Sequence, residues 1–286
     1  MTKRMLILGH TGKMGTALVD VFSDSYNVIG KNSRDFDAED FDQVKDLLDR
    51  ERPEIVINTV AFLGIDPSEN EPIKAFRLNA LYPQILARLS AENGFTLVHF
   101  STDGVFNDEK NDFYVESDMP CPLHVYGATK YSGDCFIQSL AKKYYIFRIP
   151  MLFGETTKND QFVEKMFMKV KEGAATLKIA GDVFSSPTYS KDIAKIVCEI
   201  IEGDEVSGVY HVANEGKASL FELMNEIVKN TGMDVCIEEA SFNDFPYVGR
   251  KNTNTPMKSE KLESMRPWQE AAKDYCDVLN ATKKLQ

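Results

Sequence analysis

The chain has 286 residues, 43% of them hydrophobic, enough to bury either one large α/β unit or two linked domains. Acidic residues outnumber basic ones by 44 to 33, a formal net charge of −11, which argues against nucleic acid or an anionic membrane as partner. The opening MTKRMLILGHTGKMG holds only a short apolar run, so neither a signal-peptide core nor a membrane span is expected and the expected location is cytoplasmic.

In chain order, short apolar runs alternate with helical patterns: MLILG then MGTALVDVF, NVIG then EDFDQVKDLLD, EIVINTV then one long helix through IKAFRLNALYPQILARLSAEN, FTLVHFS then YGATKYSGDCFIQSLAKK, and YYIFRI. Strands that are apolar throughout and separated by helices predict a parallel sheet covered on both faces, the doubly wound α/β (Rossmann) fold. After Phe153 the rhythm loosens, with helices expected at DQFVEKMFMKVKEG, YSKDIAKIVCEIIEG and SLFELMNEIVKNTG, a strand at GVYHVAN and a polar loop at GRKNTNTPMKSEKL. The predicted division is a nucleotide-binding domain over 1–150 with a later return around 187–213. A smaller, interleaved substrate-binding region takes most of 151–286.

Gly9, Gly12 and Gly15, with Thr11, Lys13 and Met14 between them, follow the first strand and open a helix. Such a turn lets backbone approach a pyrophosphate at a helix N-terminus, although a plain strand-to-helix turn has the same pattern. The second strand ends Gly-Lys-Asn-Ser-Arg, without the acidic residue that binds a ribose 2′-hydroxyl. Lys31 and Arg34, with Lys13, are candidates for a 2′-phosphate, which favours NADPH over NADH; the alternative is three solvated cations.

Tyr126 and Lys130 in VYGATKYSGD stand four apart on an expected helix, a spacing that puts a cation near a phenol acting as general acid. Thr102 and Asp103 end the fourth strand at the sheet's carboxyl edge, where ligands of this fold bind. Tyr247 and Lys251 repeat the spacing, but beside Pro246 and Gly249 no helix is expected to put them on one face. Five scattered cysteines, never in a CxxC, and four dispersed histidines give no expected metal site or disulfide framework. Met166, Met168 and Trp268 read as core or anchoring residues.

GHTGKMG, STD and YGATK in this order resemble the extended short-chain dehydrogenase/reductases. INTVAF with GIDPSENEP, FRIPMLFGE, SPTYSKDIA, GVYHVAN and NTPMKSEKL narrow the resemblance to the branch related to dTDP-4-dehydrorhamnose reductase. The resemblance implies reduction of a nucleotide-activated 4-keto-6-deoxy sugar, with Thr102, Tyr126 and Lys130 as the catalytic group and Asp103 as a polar neighbour. It implies that Lys130 also holds the nicotinamide ribose, that Asp37 lies near the adenine, and that Asn58, Ala61 and Phe62 run beside the cofactor. Arg148 reads as structural.

Where related 4,6-dehydratases carry an Asp-Glu pair after the threonine, Gly104 follows Asp103, and epimerising relatives use a cysteine at Asp103. The rhamnose-forming reductase usually has tyrosine at Gly104 and tryptophan at Met151, both facing the sugar nucleotide, so the resemblance implies an altered substrate pocket. Arg250 or Lys251 is a candidate diphosphate contact, or a solvated loop cation. Ala17 replaces a glutamate of the magnesium-linked dimer known in relatives, so no metal is carried over and a homodimer stays open. The alternatives are a non-catalytic NADP-binding regulatory subunit or a sugar-nucleotide epimerase.

Overall fold

Successive residues of a strand face opposite sides of a sheet, and in RMLIL and IVIN both sets are apolar. Such strands are stable only when each face is covered. In the computed structural model, which describes residues 2–156 and 161–282, they lie inside a sheet, each with a strand on either side. Its strands are β1 (Arg4–Leu8), β2 (Asn27–Lys31), β3 (Ile55–Asn58), β4 (Thr96–Thr102) and β5 (Tyr144–Ile149), with a sixth joining later. The helices between them are α1 (Lys13–Phe22), α2 (Phe41–Glu51), α3 (Ile65–Asn70), α4 (Pro72–Phe76), α5 (Tyr82–Asn93) and α6 (Val125–Leu140).

The chain then passes through β6 (Leu152–Phe153), α7 (Phe162–Lys171), β7 (Thr176–Ala180), β8 (Phe184–Ser185) and β9 (Thr188–Tyr189). It returns through α8 (Ser190–Glu202) and β10 (Gly208–His211) and ends with β11 (Ala218–Ser219), α9 (Leu220–Thr231), β12 (Cys236–Ala240) and α10 (Trp268–Ala281). The helix expected from DQFVEKMFMKVKEG begins at Phe162; Asp160 lies outside the described residues.

All six strands of the large sheet run parallel, in the order β10-β5-β4-β3-β1-β2. Met5 and Ile7 face α1 and α8 through Leu18, Phe22, Ile193 and Val197, while Leu6 and Leu8 face the opposite layer through Leu47, Leu86 and Ile137. A separate core gathers Phe153, Val163, Leu223 and Tyr275. Trp268 opens α10 in that core at 5% exposure, and Met166 lies there too. No helix among the described residues is long and apolar enough to cross a membrane.

The long helix expected through IKAFRLNALYPQILARLSAEN is interrupted. Residues Arg77–Leu81 form a π turn, in which Tyr82 N–H bonds back to the Arg77 carbonyl. Pro83 lacks the N–H that would bond the Asn79 carbonyl, so the regular ladder cannot continue. Gly133 of α6 packs against that carbonyl, where a Cβ would come within 2.4 Å of the oxygen.

Candidate active site

The chain leaves β1 for β2 on one side and then crosses to β3 on the other, so the carboxyl ends of β1 and β3 form the switch point of the sheet. The glycine turn sits there. Gly9 has φ +86°, and a Cβ on Gly15 would lie 2.3 Å from the Gly9 carbonyl oxygen. No side chain caps the N-terminus of α1 and no acidic residue occupies its first turn. A glycine-lined, uncapped helix start of this kind fits a pyrophosphate. Gly15→Ala is expected to lower stability by about 1–3 kcal/mol, because the obstacle is backbone. Gly12→Ala, whose nearest neighbour would be 3.4 Å away, is expected to leave the melting temperature nearly unchanged. Calorimetry of the two variants checks the contrast.

Of the other turn residues, Thr11 is half-buried and Met14 buried. Lys13, a candidate for a 2′-phosphate, has protein partners of its own. Only 3% exposed, it reaches across to the second region, where its ammonium pairs with Glu164 at 3.0 Å and donates to the Leu152 carbonyl at 3.4 Å. Lys31 is half-buried and paired with Glu51 at 3.3 Å. Arg34 is exposed at the end of β2, and Asp37 is exposed with its carboxylate accepting the Glu39 N–H.

Asn58, expected beside a cofactor, is fully buried with its side chain turned inward. Its Oδ1 accepts from Val60 N at 3.1 Å and its Nδ2 faces His99 Nδ1 at 3.1 Å, so it shapes the turn that carries Ala61 and Phe62. Asn79, on the π turn, completes the frame by accepting from Phe62 N (2.8 Å) and donating to Phe62 O (3.0 Å) and Thr129 Oγ1 (3.2 Å).

Thr102 ends β4, where its Oγ1 accepts from Gly104 N and donates to Asp103 Oδ1, both at 3.1 Å. Asp103 also receives the hydroxyls of Ser185 (3.0 Å) and Thr255 (2.8 Å), which join β4 to β8 and to the polar loop. Burial raises the Asp103 carboxyl pKa, and these three hydroxyls oppose the rise. Tyr126 lies in the first turn of α6, half-buried. Burial pushes its phenol well above the ordinary value, Asp103 adds to this, and the Thr102 hydroxyl beside it works the other way.

Lys130 follows one turn on, and its amino group finds its hydrogen-bond partners on β4. It donates to the Phe100 carbonyl at 2.6 Å and meets His99 Nε2 at 3.2 Å, and burial lowers its pKa to about 8 against the pull of Asp134. Behind it Asp134 is fully buried, paired with Arg148 at 3.2 Å and accepting from Ser101 at 2.9 Å. Arg148 is thus structural, as expected.

The substrate-side candidates differ in burial. Gly104 is buried, and a Cβ there would point at His124, 3.2 Å from Cε1. Gly127 closes on it from α6, where a Cβ would lie 2.0 Å from the Gly104 oxygen. A side chain at 104 therefore needs the His124 ring to give by a few tenths of an ångström. His124 caps α6, accepting from Gly127 N at 2.9 Å through Nδ1 and meeting Asn252 Oδ1 at 2.6 Å through Nε2. Met151 is half-buried against the second core.

Arg250 is exposed, whereas Lys251 lies over the Tyr247 ring (4.7 Å to the centroid) and donates to its hydroxyl at 3.3 Å. The second Tyr/Lys pair thus does touch, in an irregular loop far from helical geometry. A wide cleft of about 1280 Å³ at the amino ends of the strands, lined by Lys3, Arg52 and Lys143 among others, shares no residue with these groups.

Sequence reasoning missed His99, His124, Asp134 and Asn252. The available signal was a polar residue inside an apolar strand, as with His99 in FTLVHFS, because a buried polar group requires a partner.

Comparison with known proteins agrees with this architecture. A spore coat polysaccharide biosynthesis protein, SpsK, of Bacillus subtilis (strain 168) is 30% identical over 280 residues, spanning 96% of this chain and 97% of that protein. A dTDP-4-dehydrorhamnose reductase of Aggregatibacter actinomycetemcomitans is 29% identical, spanning 95% and 97%. The crystal structure of dTDP-4-dehydrorhamnose reductase from Bacillus anthracis str. Ames in complex with NADP superposes with a TM-score of 0.91 at 27% identity, covering 97% of this chain and 100% of that one. With the RmlD substrate binding domain matching residues 3–281, nearly the whole chain, the protein belongs to that family of extended short-chain dehydrogenase/reductases.

Proposed function

We propose that the protein reduces the ketone of a nucleotide-activated 4-keto-6-deoxy sugar with NADPH in preference to NADH. The observation that carries this reading is that Thr102 at the carboxyl end of β4 and Tyr126 in the first turn of α6 lie at the same edge of the sheet as the glycine turn, with Gly127 of α6 packed against Gly104 just after Thr102. When bound, the nicotinamide supplies the hydride. The glycine turn receives the pyrophosphate, and Phe62 with Ala61 walls the neighbouring side. Tyr126 holds its proton tightly in the free protein and gives it to the substrate oxygen as negative charge develops there. Thr102 orients that oxygen, for which its hydroxyl proton has to turn away from Asp103.

The preference for NADPH is supported by exposed Arg34 at the end of β2 and by the NADP bound in the Bacillus anthracis relative; Lys31 contributes only by sharing its charge with Glu51. Comparable kcat/KM with NADH would overturn it. A substrate other than dTDP-4-dehydrorhamnose is supported by buried Gly104 beneath His124 and by Met151 where the branch has larger aromatic residues. The similarity to a spore coat polysaccharide biosynthesis protein supports a role in polysaccharide synthesis.

The test is NADPH oxidation against dTDP-, UDP-, GDP- and CDP-4-keto-6-deoxy sugars, with the product identified by NMR. Oxidation with a C4 alcohol as product is the expected result. Tight NADPH binding without oxidation across the panel would point to a regulator instead, and activity confined to dTDP-4-dehydrorhamnose would remove the altered-substrate reading. Gly12→Ala should weaken NADPH at least about tenfold, on the order of 1.4 kcal/mol, while folding normally. Equilibrium titration measures it.

A further inference from the structure

The hydrogen bonds around His99 restrict the charge of Lys130. Val60 N donates to Asn58 Oδ1 at 3.1 Å, which leaves the Asn58 amide nitrogen, a pure donor, facing His99 Nδ1 at 3.1 Å. Nδ1 must then be the bare, accepting nitrogen. A neutral imidazole carries its one proton on the other nitrogen, so Nε2 is an N–H and points at Lys130 Nζ, 3.2 Å away. An ammonium has no lone pair to receive it, whereas an amine accepts from Nε2–H and still donates to the Phe100 carbonyl at 2.6 Å.

The other tautomer only moves the conflict. With Nδ1–H, the Asn58 amide has to turn its oxygen to His99, and its NH2 then confronts Val60 N–H. Asn58 is fully buried, His99 is 1% exposed and Lys130 2%, so bulk water does not relieve either clash.

We propose that His99, held in its Nε2–H form by Asn58, is a positioning residue that stabilises Lys130 as an uncharged amine in the free protein. Burial lowers both groups: His99 is held well below its ordinary pKa, and Lys130 is brought to about 8. The charged groups around the pair are Asp134 on α6, which favours the ammonium, and Arg148 on β5, which neutralises Asp134. Tyr126 on α6 and Asp103 beyond β4 complete the set, and the phenol is itself pushed toward its neutral form. An uncharged Lys130 leaves that phenol protonated at rest. This last consequence rests on the proposed reduction; the charge state of Lys130 does not.

The experiment uses the full chain without substrate, so it reads the lysine whatever reaction the protein catalyses. Lysine labelled with 13C at Cε is titrated by NMR, and the Lys130 resonance is assigned by its loss in Lys130→Met. A midpoint at or below about 8 is expected, against about 10.4 for an ordinary lysine; a midpoint above about 9 would overturn the proposal. In His99→Gln the amide oxygen can turn to accept from an ammonium, so the midpoint should rise by at least about one pH unit. An unmoved midpoint means that burial alone sets the charge, which also overturns it. Should His99→Gln fail to fold, 15N shifts of the histidine ring in the unaltered protein decide the point: a protonated Nε2 with bare Nδ1 supports it, and an Nδ1–H tautomer refutes it.

Discussion

Tyr126→Phe is expected to lower kcat by about 10²–10⁴-fold while leaving NADPH affinity and thermal stability close to those of the parent protein. The variant removes one oxygen from a half-buried side chain at the start of α6. The fold should be insensitive to that oxygen, because the N-terminus of α6 is capped by His124 and Gly127 packs it against Gly104 in the turn after β4. Chemistry is not. The phenol is the proton source beside Thr102, and Phe has no proton to give. Thr102→Val gives a useful contrast: it removes the acceptor for Gly104 N and one of three donors to Asp103, so a loss of stability should accompany its loss of turnover. Stopped-flow NADPH oxidation, cofactor titration and calorimetry separate the effects. Near-normal turnover of Tyr126→Phe would remove Tyr126 from the mechanism.

The doubly wound sheet was legible because its central strands are apolar on both faces, a pattern that only a covered parallel sheet accommodates. The glycine turn, the strand end at Thr102 and the helix that carries Tyr126 and Lys130 were legible as positions because they are local motifs tied to strand ends. What the sequence did not carry was which partners, distant along the chain, these side chains meet. Lys13 in a glycine turn looks like a phosphate ligand until Glu164, 151 residues on, folds against it. Lys130 looks like a partner for Tyr126 because helical spacing says which face a residue is on, but not where a flexible four-carbon chain ends. Tyr247 and Lys251 erred in the opposite sense: helical geometry was ruled out correctly, yet a loop closed the pair by placing the ammonium over the ring. Gly104 was read as part of an altered substrate pocket, and a glycine in a sequence carries no sign of the imidazole that a Cβ there would meet.

Arg148→Met should destabilise the protein by about 3–5 kcal/mol, the usual cost of removing one member of a buried ion pair. Asp134 is fully buried and Arg148 is 3% exposed, so neither charge has water as a substitute partner. Asp134 Oδ2 accepts from both Arg148 Nε and Ser101 Oγ, and without the guanidinium only the serine remains. In a protein of this size that corresponds to a fall in melting temperature on the order of 10 °C. The sign of the pH dependence follows from Asp134. Its folded-state pKa is already raised, chiefly by burial, with Arg148 the first opposing influence, so removing Arg148 raises it further. A carboxyl whose folded pKa lies above its unfolded one loses stability as pH rises from the unfolded value toward the folded value, because folding has to take up a proton that the unfolded carboxyl has already released. The deficit of Arg148→Met should therefore be larger at pH 8 than at pH 5.5. Adding Asp134→Leu should restore part of the loss and flatten that pH dependence, since it removes the stranded carboxylate. Calorimetry of the single and double variants at both pH values checks this. A double variant no more stable than Arg148→Met would mean that the guanidinium matters through its packing over the Phe106 ring, 5.6 Å from the centroid, and not through its charge on Asp134.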